Sequence, residues 1–593
     1  MTVCRIGHSF HIPVMGIGYS IDAPVKVAHY GITSTISLVD DGIIEKMRQF
    51  YCQYFQLPFN EITQNDDDYR AKRITAYLNL IDEIVKQKFE ELKNSLESKS
   101  KELQKYFDML PDCSWLKEKY ASFSLKDNVT EFKNWINANL IAGSIDVNIM
   151  TKLDKENFRD GVKLPVEYCD AHAAFRGFAN SKLSSSMVLS AGMNPRLYNY
   201  IEKFDEFFPN EKGEFKKKIT LKVSDYRSAL IQGKYFAKKG IWISEYRVES
   251  GLNCGGHAYI SQGNLMGTVL EEFKNNRETL TKSINEILFS ALKSKNKIIP
   301  NKELNFKITA QGGVGTNNEH NFLLNYYNVD SVGWATPFLL VPEVTNVDEQ
   351  TIKLLQSAKE DDLYLSNISP YGVPFNNLRN NTKDIEQEKL VSEGKPGSPC
   401  IKKYGAFNAY FNGKNMCTGS REYQTQKIKE LQALNLDKKT YDREYNKVVE
   451  KVCICVGLGT ATLIKNKIPY TKEGEGVSIC PGPDMAYFSK ILSLQEMIAH
   501  IYGKLNVIER TDRPHFLVKE IIINIKYLKE KAEDSSTSDK EKESLKIFKQ
   551  NLLEGIKYYN KLYSTVKVDD ENVIKTSLSQ LKNLEGELND VKF

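Results

Sequence analysis

Eight short apolar segments, spread unevenly along the chain, constrain its fold more than any other feature. They are rich in β-branched residues, and most are separated by segments whose apolar residues recur at helical spacing. They cover residues 11–18, 32–39, 143–150, 186–192, 218–224, 240–247, 305–313 and 331–339. Strands that alternate with helices predict a parallel sheet. Eight such units without a tandem repeat predict a closed (β/α)8 barrel, and a doubly wound open sheet is the alternative.

Two long regions do not share this rhythm, and they set the expected domain boundaries. The barrel is predicted over 1–42 and 140–382. Residues 43–139 are expected to be a helical insertion after the second strand, because apolar residues recur there at helical spacing among Lys and Glu. Residues 383–490 are expected to be a loop-rich, cysteine-containing segment, and a mostly helical C-terminal region is expected over 491–593.

The composition limits the classes of partner. The 81 Lys and Arg residues nearly balance the 76 Asp and Glu residues, so the net charge of +5 predicts no nucleic-acid partner. No apolar stretch approaches the roughly 18 residues of a membrane-spanning helix, and the first residues do not resemble a signal peptide. We therefore expect a cytoplasmic protein without membrane contact, whose ten cysteines are reduced.

Glycines follow the last two predicted strands. Their backbone N–H groups can approach a phosphate closely, and the N-terminus of the helix expected next favours its negative charge. In (β/α)8 barrels the loops after strands seven and eight frequently bind phosphate. The sequence therefore predicts a phosphate site, with ordinary tight turns as the alternative. The residues concerned are Gly312, Gly313, Gly315, Gly333 and Thr336.

A second glycine-rich stretch, GLNCGGHAYI, follows the sixth predicted strand. It places His257 directly after Gly255 and Gly256, at the expected carboxyl-terminal rim of the barrel. Imidazole exchanges protons near neutral pH, so His257 is a candidate acid or base. Taken alone, these residues favour that role no more than the role of a loop histidine that is hydrogen-bonded to backbone.

Several of these stretches, taken in order, resemble the nitronate monooxygenase (2-nitropropane dioxygenase-like) family of FMN-dependent barrels, which includes flavin enoyl-acyl-carrier-protein reductases. IPVMGIGYSIDAPVKVAHYGITSTISL resembles the opening strand, helix and strand of the family. VESGLNCGGHA is similar to its histidine signature, AQGGVGT to its phosphate loop and VGWATPFLLVPE to the segment that completes this loop. The resemblance covers roughly 1–42 and 140–382.

The resemblance implies an oxidoreductase that transfers hydride or electrons between FMN and a small organic substrate, with His257 as the catalytic acid or base. NAD(P)H is the electron donor in the enoyl-reductase version. Cys254 stands where the family has alanine, and Trp334 lies in an altered segment, so both are expected to reshape the substrate side. The implied flavin contacts are Val14, Met15, Gly16, Asn148, Lys222, Gly255, Gly256, Gly312, Gly313, Gly315, Gly333 and Thr336.

Two other functions stay open at this point. A phosphate-binding isomerase or lyase can use the same barrel without flavin. The helical additions can also make the chain a scaffold that only retains a barrel. A homodimer is left open as well.

Five cysteines lie in the segment beyond the barrel, several of them next to glycine or proline. Exposed turns of this kind hold the thiolates of iron–sulfur clusters or of structural zinc. The alternative is a set of buried, reduced cysteines. The candidate ligands are Cys400, Cys417, Cys453, Cys455 and Cys480.

Overall fold

All eight predicted strands form, and they pair in parallel within one sheet. The structure is a computed structural model that describes residues 7–94, 101–123, 129–190, 192–257, 262–411, 413, 415–469, 474–533 and 538–593. The strands are β1 (Phe10–His11), β2 (Ser34–Ser37), β3 (Ile145–Ile149), β4 (Ser185–Leu189), β5 (Lys217–Val223), β6 (Ile243–Glu249), β7 (Lys307–Gln311) and β8 (Ser331–Gly333).

The strand order around the sheet is β1-β8-β7-β6-β5-β4-β3-β2. Its two ends meet, because Ile12 forms a parallel bridge with Ser34. The Ile12 N–H donates to the carbonyl of Thr33 at 2.9 Å, and the Thr35 N–H donates to the carbonyl of Ile12 at 3.1 Å. The (β/α)8 barrel is therefore confirmed, and the open doubly wound sheet is excluded.

Helices surround the barrel on its outer face. Gly31 ends the first helical stretch with φ of +82°, a left-handed conformation that glycine adopts without strain. The helices that follow the barrel strands include Ala23–Val27, Asp170–Ala179, Pro195–Ile201, Tyr226–Lys238, Met266–Ser294, Asn317–Tyr326 and Glu349–Ser357.

The segment between β2 and β3 is helical, as expected. Its helices are Asp41–Tyr54, Tyr69–Asn94, Lys101–Asp108, Trp115–Ser122 and Val129–Asn139. The longest of them contacts both the helix after β1 and the helix after β3. Tyr69–Asn94 thus covers the barrel where the helix after β2 belongs.

The interior of the barrel is polar. Side chains alternate along a strand, so Glu245, Arg247 and Glu249 of β6 face inward. The Arg247 Nε donates to Glu245 Oε1 at 2.8 Å and lies 3.3 Å from Thr309 Oγ1 of β7. Branched apolar residues usually fill such barrels. Here the charged and polar inward side chains bring ionisable groups to the end of the strands where the site lies.

The chain beyond the barrel is largely helical, which confirms the expected helical extension. Four helices lie between the loops of the segment 383–490. They are Thr382–Ser392, Arg421–Ala433, Lys438–Val449 and Ile454–Lys465. The remaining C-terminal region contains Leu494–Ile501, Phe516–Glu533, Asp539–Thr565 and Glu571–Asp590. Across the described residues, none of the helices combines the length and the apolar character needed to cross a bilayer.

The C-terminal helices dock on the barrel through a buried carboxyl group. Glu520 accepts hydrogen bonds from the N–H of Met266 at 3.0 Å and from the hydroxyl of Tyr559 at 3.3 Å. Met266 is the first residue of the barrel helix Met266–Ser294, so Glu520 satisfies a free N–H at a helix end. Burial raises the pKa of Glu520 to about 8, so this carboxyl group is protonated at neutral pH.

Replacing Glu520 with glutamine removes this titration and keeps a side-chain oxygen as acceptor. Between the ordinary pKa of 4.5 and the folded pKa of about 8, the unfolded wild-type chain is ionised at this residue while the folded chain is protonated. Rising pH therefore costs the wild type stability that the variant retains. We expect the Tm of Glu520→Gln to rise relative to wild type between pH 5 and pH 8, measured by thermal unfolding. An equal Tm difference at both pH values would contradict a protonated Glu520.

Candidate functional site

A cavity opens at the carboxyl-terminal ends of the barrel strands, where (β/α)8 barrels bind their ligands. We call it the mouth cavity. Residues at or just after the ends of β1 to β6 line it, together with four residues from the chain beyond β8. Its lining is Val14, Gly16, Ile17, Ser37, Val39, Asn148, Met150, Leu153, Ser190, Lys222, Glu249, Asn253, Gly255, His257, Tyr371, Ile454, Cys455 and Leu458.

Five of the twelve predicted flavin contacts share this cavity with the predicted catalytic histidine. The structure brings together Val14, Gly16, Asn148, Lys222, Gly255 and His257. The remaining predicted positions lie outside its lining. These are Met15, Gly256, Gly312, Gly313, Gly315, Gly333 and Thr336.

Lys222 at the end of β5 forms an ion pair across the floor of the mouth cavity. Its Nζ lies 3.0 Å from Glu249 Oε1, at the end of β6. The same oxygen accepts from Gln311 Nε2 at 2.7 Å and from the side-chain amide of Asn253. Glu249 and Gln311 are register partners on neighbouring strands, so the sheet itself sets this geometry. The network holds the ammonium group of Lys222 in a fixed place on the cavity floor.

Asn148 at the end of β3 offers an unused acceptor. The side chain is 5% exposed, and its Oδ1 is a buried atom with no hydrogen-bond partner among the described residues. A buried polar atom without a partner costs free energy, so such atoms are usually paired with protein, water or ligand. Because Asn148 lines the mouth cavity, this oxygen is positioned to accept a hydrogen bond from a ligand N–H or O–H.

His257 stands on the wall of the cavity. Its Nε2 lies 2.8 Å from Ser369 Oγ, and its ring centroid lies 5.4 Å from that of Tyr371. Burial lowers the pKa of His257 to about 4. The imidazole is therefore neutral near pH 7 and acts there through hydrogen bonds or as a proton acceptor, not as a cation.

The two glycines before His257 have different roles. Gly255 lines the mouth cavity with φ of +153°. Gly256 has φ of +86°, and a Cβ there would lie 2.4 Å from the ring of Phe375. Its carbonyl accepts from the N–H of Asn376 at 2.7 Å. Gly256 is thus explained by packing against the hairpin Leu363–Ser366 and Phe375–Leu378, without any ligand.

The helix Ile454–Lys465, which we call the roof helix, closes the mouth cavity from above with Ile454, Cys455 and Leu458. The N–H of Gly18 donates to the carbonyl of Leu458 at 3.0 Å. A Cβ on Gly18 would lie 2.1 Å from Thr462 Oγ1, so only glycine permits this approach. The roof helix was not expected from the sequence. An apolar character on all sides of ICVGLGTATLI was the available signal of a fully buried helix.

Other polar residues of the cavity were also missed. Ser37, Ser190, Glu249 and Asn253 all line it. Each lies at or just after the end of a barrel strand. Side chains two or four residues apart on a strand face the same side, so the inward-facing Glu245 implies that Glu249 also faces inward. The alternation of inward and outward side chains along each predicted strand was the available sequence signal for these residues.

The predicted phosphate loops are occupied by other parts of the protein. The N–H of Gly315 donates to Glu319 Oε2 at 2.8 Å, and Arg513 Nη2 donates to the carbonyl of Gly313 at 2.8 Å. On the second loop, Thr336 Oγ1 accepts from the N–H of Gly482 at 3.1 Å. Two residues from beyond the barrel therefore fill the space between the loops after β7 and β8.

The charges at these loops also oppose a phosphate. Arg513 lies 2.6 Å from Glu319 and 3.3 Å from Asp484, and all three side chains are buried. Burial, together with the charge of Glu319, raises the pKa of Asp484 to about 6. One guanidinium group facing two carboxyl groups leaves no positive charge for a phosphate. The residues present therefore do not fit the phosphate of FMN here.

The five cysteines beyond the barrel do not gather at one point. The thiol of Cys400 contacts those of Cys417 and Cys453, and Cys455 Sγ lies 3.4 Å from the Tyr371 hydroxyl. Cys480 lies apart, beside Cys254. In the described part of the chain, no three His, Cys, Asp or Glu side chains form a group that could hold a metal ion. The iron–sulfur and zinc predictions gain no support.

Comparisons with known proteins add no family to this description. No protein-family model matches the chain, and no curated protein matches it significantly. The fold therefore defines the class, a (β/α)8 barrel with a helical extension, and the resemblance to nitronate monooxygenases stays a prediction.

The packing of the roof helix on Gly18 can be tested directly. In Gly18→Ala the new methyl group meets Thr462 and the backbone of Gly459, so we expect the free energy of unfolding to fall by about 1–3 kcal/mol. Gly586→Ala is the matched control, because nothing lies within 4 Å of a Cβ there. Denaturant unfolding should show a loss for Gly18→Ala and no loss for the control. Equal stability of Gly18→Ala and wild type would place the roof helix elsewhere.

Proposed function

We propose that this chain is an enzyme that acts on a small organic molecule in the mouth cavity. The observation that carries the proposal is the placement of Lys222, Glu249, Asn148 and His257 around one cavity at the carboxyl ends of the strands. Convergent polar groups in a largely apolar cavity at this end of a barrel are the usual mark of an active site.

The cavity walls favour a ligand with an apolar body. Val14, Ile17, Val39, Leu153 and Leu458 face it, while the polar groups lie on its floor and on one side. Asn148 Oδ1 provides an acceptor and Lys222 provides donors. A small organic molecule with one polar, hydrogen-bonding end matches this distribution.

The reaction class that these groups support is proton transfer beside an electron-withdrawing group of the substrate. The ammonium group of Lys222, already held by Glu249, stabilises negative charge that develops on a substrate oxygen. The neutral imidazole of His257 is the group on the cavity wall that can accept the proton. Negative charge on the substrate raises the pKa of this imidazole and makes it a better base.

Flavin-dependent oxidation or reduction is the second candidate. The observation that favours it is that six positions expected to contact flavin or to catalyse line one cavity. NAD(P)H as electron donor, a cytoplasmic location and a homodimer stay predictions. If purified protein lacks flavin absorbance and gains none with added FMN or riboflavin, this candidate falls and the proton-transfer proposal stands. Flavin that is bleached by NAD(P)H and restored by a nitronate or an enoyl thioester would establish it.

Replacing Lys222 with methionine tests the proposal itself. The change keeps the length of the side chain and removes the charge, so kcat/KM should fall by about 100-fold or more. Activity is measured as solvent deuterium exchange, by NMR, across a panel of small carbonyl and nitro compounds. Lys218→Met is the matched control, because Lys218 is an exposed residue at the opposite end of β5.

The control should retain the activity of the wild type. Loss of activity in both variants would point to a general effect of charge. Full activity in Lys222→Met would remove the mouth cavity as the site of proton transfer.

A further inference from the structure

The loops after β7 and β8 meet three buried charged groups that come from distant parts of the chain. Glu319 belongs to the first turn of the helix Asn317–Tyr326, and Thr316 and Glu319 form a capping box there. Asp484 follows Gly482, whose N–H donates to Thr336. Arg513 joins them, with its Nη2 on the carbonyl of Gly313. All of these groups lie at the loops where (β/α)8 barrels frequently bind a ligand phosphate.

The carboxyl group of Glu319 uses the donors that a phosphate would use. Glu319 Oε2 accepts from the N–H groups of Gly315 and Thr316, at 2.8 and 3.2 Å. These N–H groups precede the helix and present its positive dipole end. Glu319 also accepts two hydrogen bonds from Arg513, with its Nη1 at 2.6 Å and its Nη2 at 3.0 Å. The anion that occupies this position is therefore a side chain of the protein itself, Glu319.

One hydrogen-bond donor of this cluster has no partner within the described ranges of the chain. Arg513 is about 6% exposed in its side chain, and its Nε is buried without a hydrogen-bond partner among the described residues. Asp484 contacts Arg513 only at 3.3 Å, through Oδ2. Asp484 Oδ1 is likewise buried without a hydrogen-bond partner in the part of the chain that the structure describes, so Arg513 and Asp484 do not saturate each other, as expected where two carboxyl groups replace one larger anion.

We propose that Glu319 and Asp484 take the place of a ligand phosphate in this barrel, and that the ligand of the mouth cavity is therefore held without a phosphate group. The inference deepens the proposed function by naming a substrate class, non-phosphorylated molecules. It depends on that function only for the location of the ligand. The segment around Gly482 and Asp484, with Arg513, makes the phosphate position part of the folded core.

The consequence is a site that becomes a phosphate site when its own anions are neutralised. In Glu319→Ala combined with Asp484→Asn, the N–H groups of Gly315 and Thr316 and one side of Arg513 are vacated, and Arg513 loses both counter-charges. A buried unpaired guanidinium destabilises the fold. Phosphate that binds Arg513 and the N–H groups of the loop should restore part of this stability in a saturable way.

The experiment measures Tm of the full chain against sodium phosphate, with sodium chloride at matched ionic strength as reference. We expect the double variant to have a lower Tm than wild type in chloride, and phosphate to raise it by about 2–4 °C with saturation. Wild type should show only the unsaturated, general effect of the salt. Asp146→Asn is the matched control, because Asp146 is a buried carboxyl group inside the barrel and away from these loops.

A saturable response of wild type would overturn the proposal, because it would show an open phosphate site. A double variant that responds no more than Asp146→Asn would also overturn it. If the double variant does not fold, Glu319→Ala alone vacates the loop N–H groups while Asp484 keeps one counter-charge, and it should show a smaller, still saturable response. None of these measurements uses enzymatic activity, so they can fail while the role of Lys222 stands, and the reverse also holds.

Discussion

The buried guanidinium group of Arg513 joins three parts of the chain that are far apart in sequence. It pairs with Glu319 at the start of a barrel helix, with Asp484 from the segment beyond the barrel, and with the carbonyl of Gly313. Although burial alone would raise it, the charge of Arg513 keeps the pKa of Glu319 below its usual value. Removing one partner from such a cluster leaves an uncompensated charge, which costs about 3–5 kcal/mol. This cluster and the contact of Glu520 with Met266 both hold the C-terminal extension against the barrel.

The mouth cavity results from the same arrangement. Once the extension is anchored on the loops after β7 and β8, the roof helix lies over the ends of β1 to β6 and packs on Gly18. The side of the rim with glycine loops is filled, and the side with Asn148, Lys222 and Glu249 stays open. The accessible polar groups are thus concentrated on one half of the rim, where the polar interior of the barrel reaches the cavity.

Local sequence patterns predicted the barrel well, because its strands are marked by β-branched apolar residues and its turns by glycines such as Gly31. Part of the site followed, since Lys222 and His257 lie at strand ends. The roof helix was not predicted because Gly457, Gly459 and several β-branched residues give it weak helix propensity, and burial decides its structure. The pairing of Arg513 with Glu319 joins positions 194 residues apart, and no local pattern indicates it.

The glycines also show why the same residue supports different interpretations. Gly255 lines the cavity, whereas Gly256 accommodates Phe375 and Gly313 accommodates Leu252. A glycine motif indicates that the backbone closely approaches another group, and only the fold reveals whether this group is a ligand or a side chain.

We expect the ligand to lie in the mouth cavity, on the Lys222 side of the rim. The most direct measurement is a crystal structure of the protein soaked with small non-phosphorylated carbonyl compounds and, separately, with a phosphorylated counterpart. We expect density for the non-phosphorylated compound within hydrogen-bonding distance of Lys222 or Asn148, and the Arg513 cluster unchanged in both crystals. A phosphate bound between Gly313 and Thr336, with Glu319 or Asp484 displaced, would contradict the account.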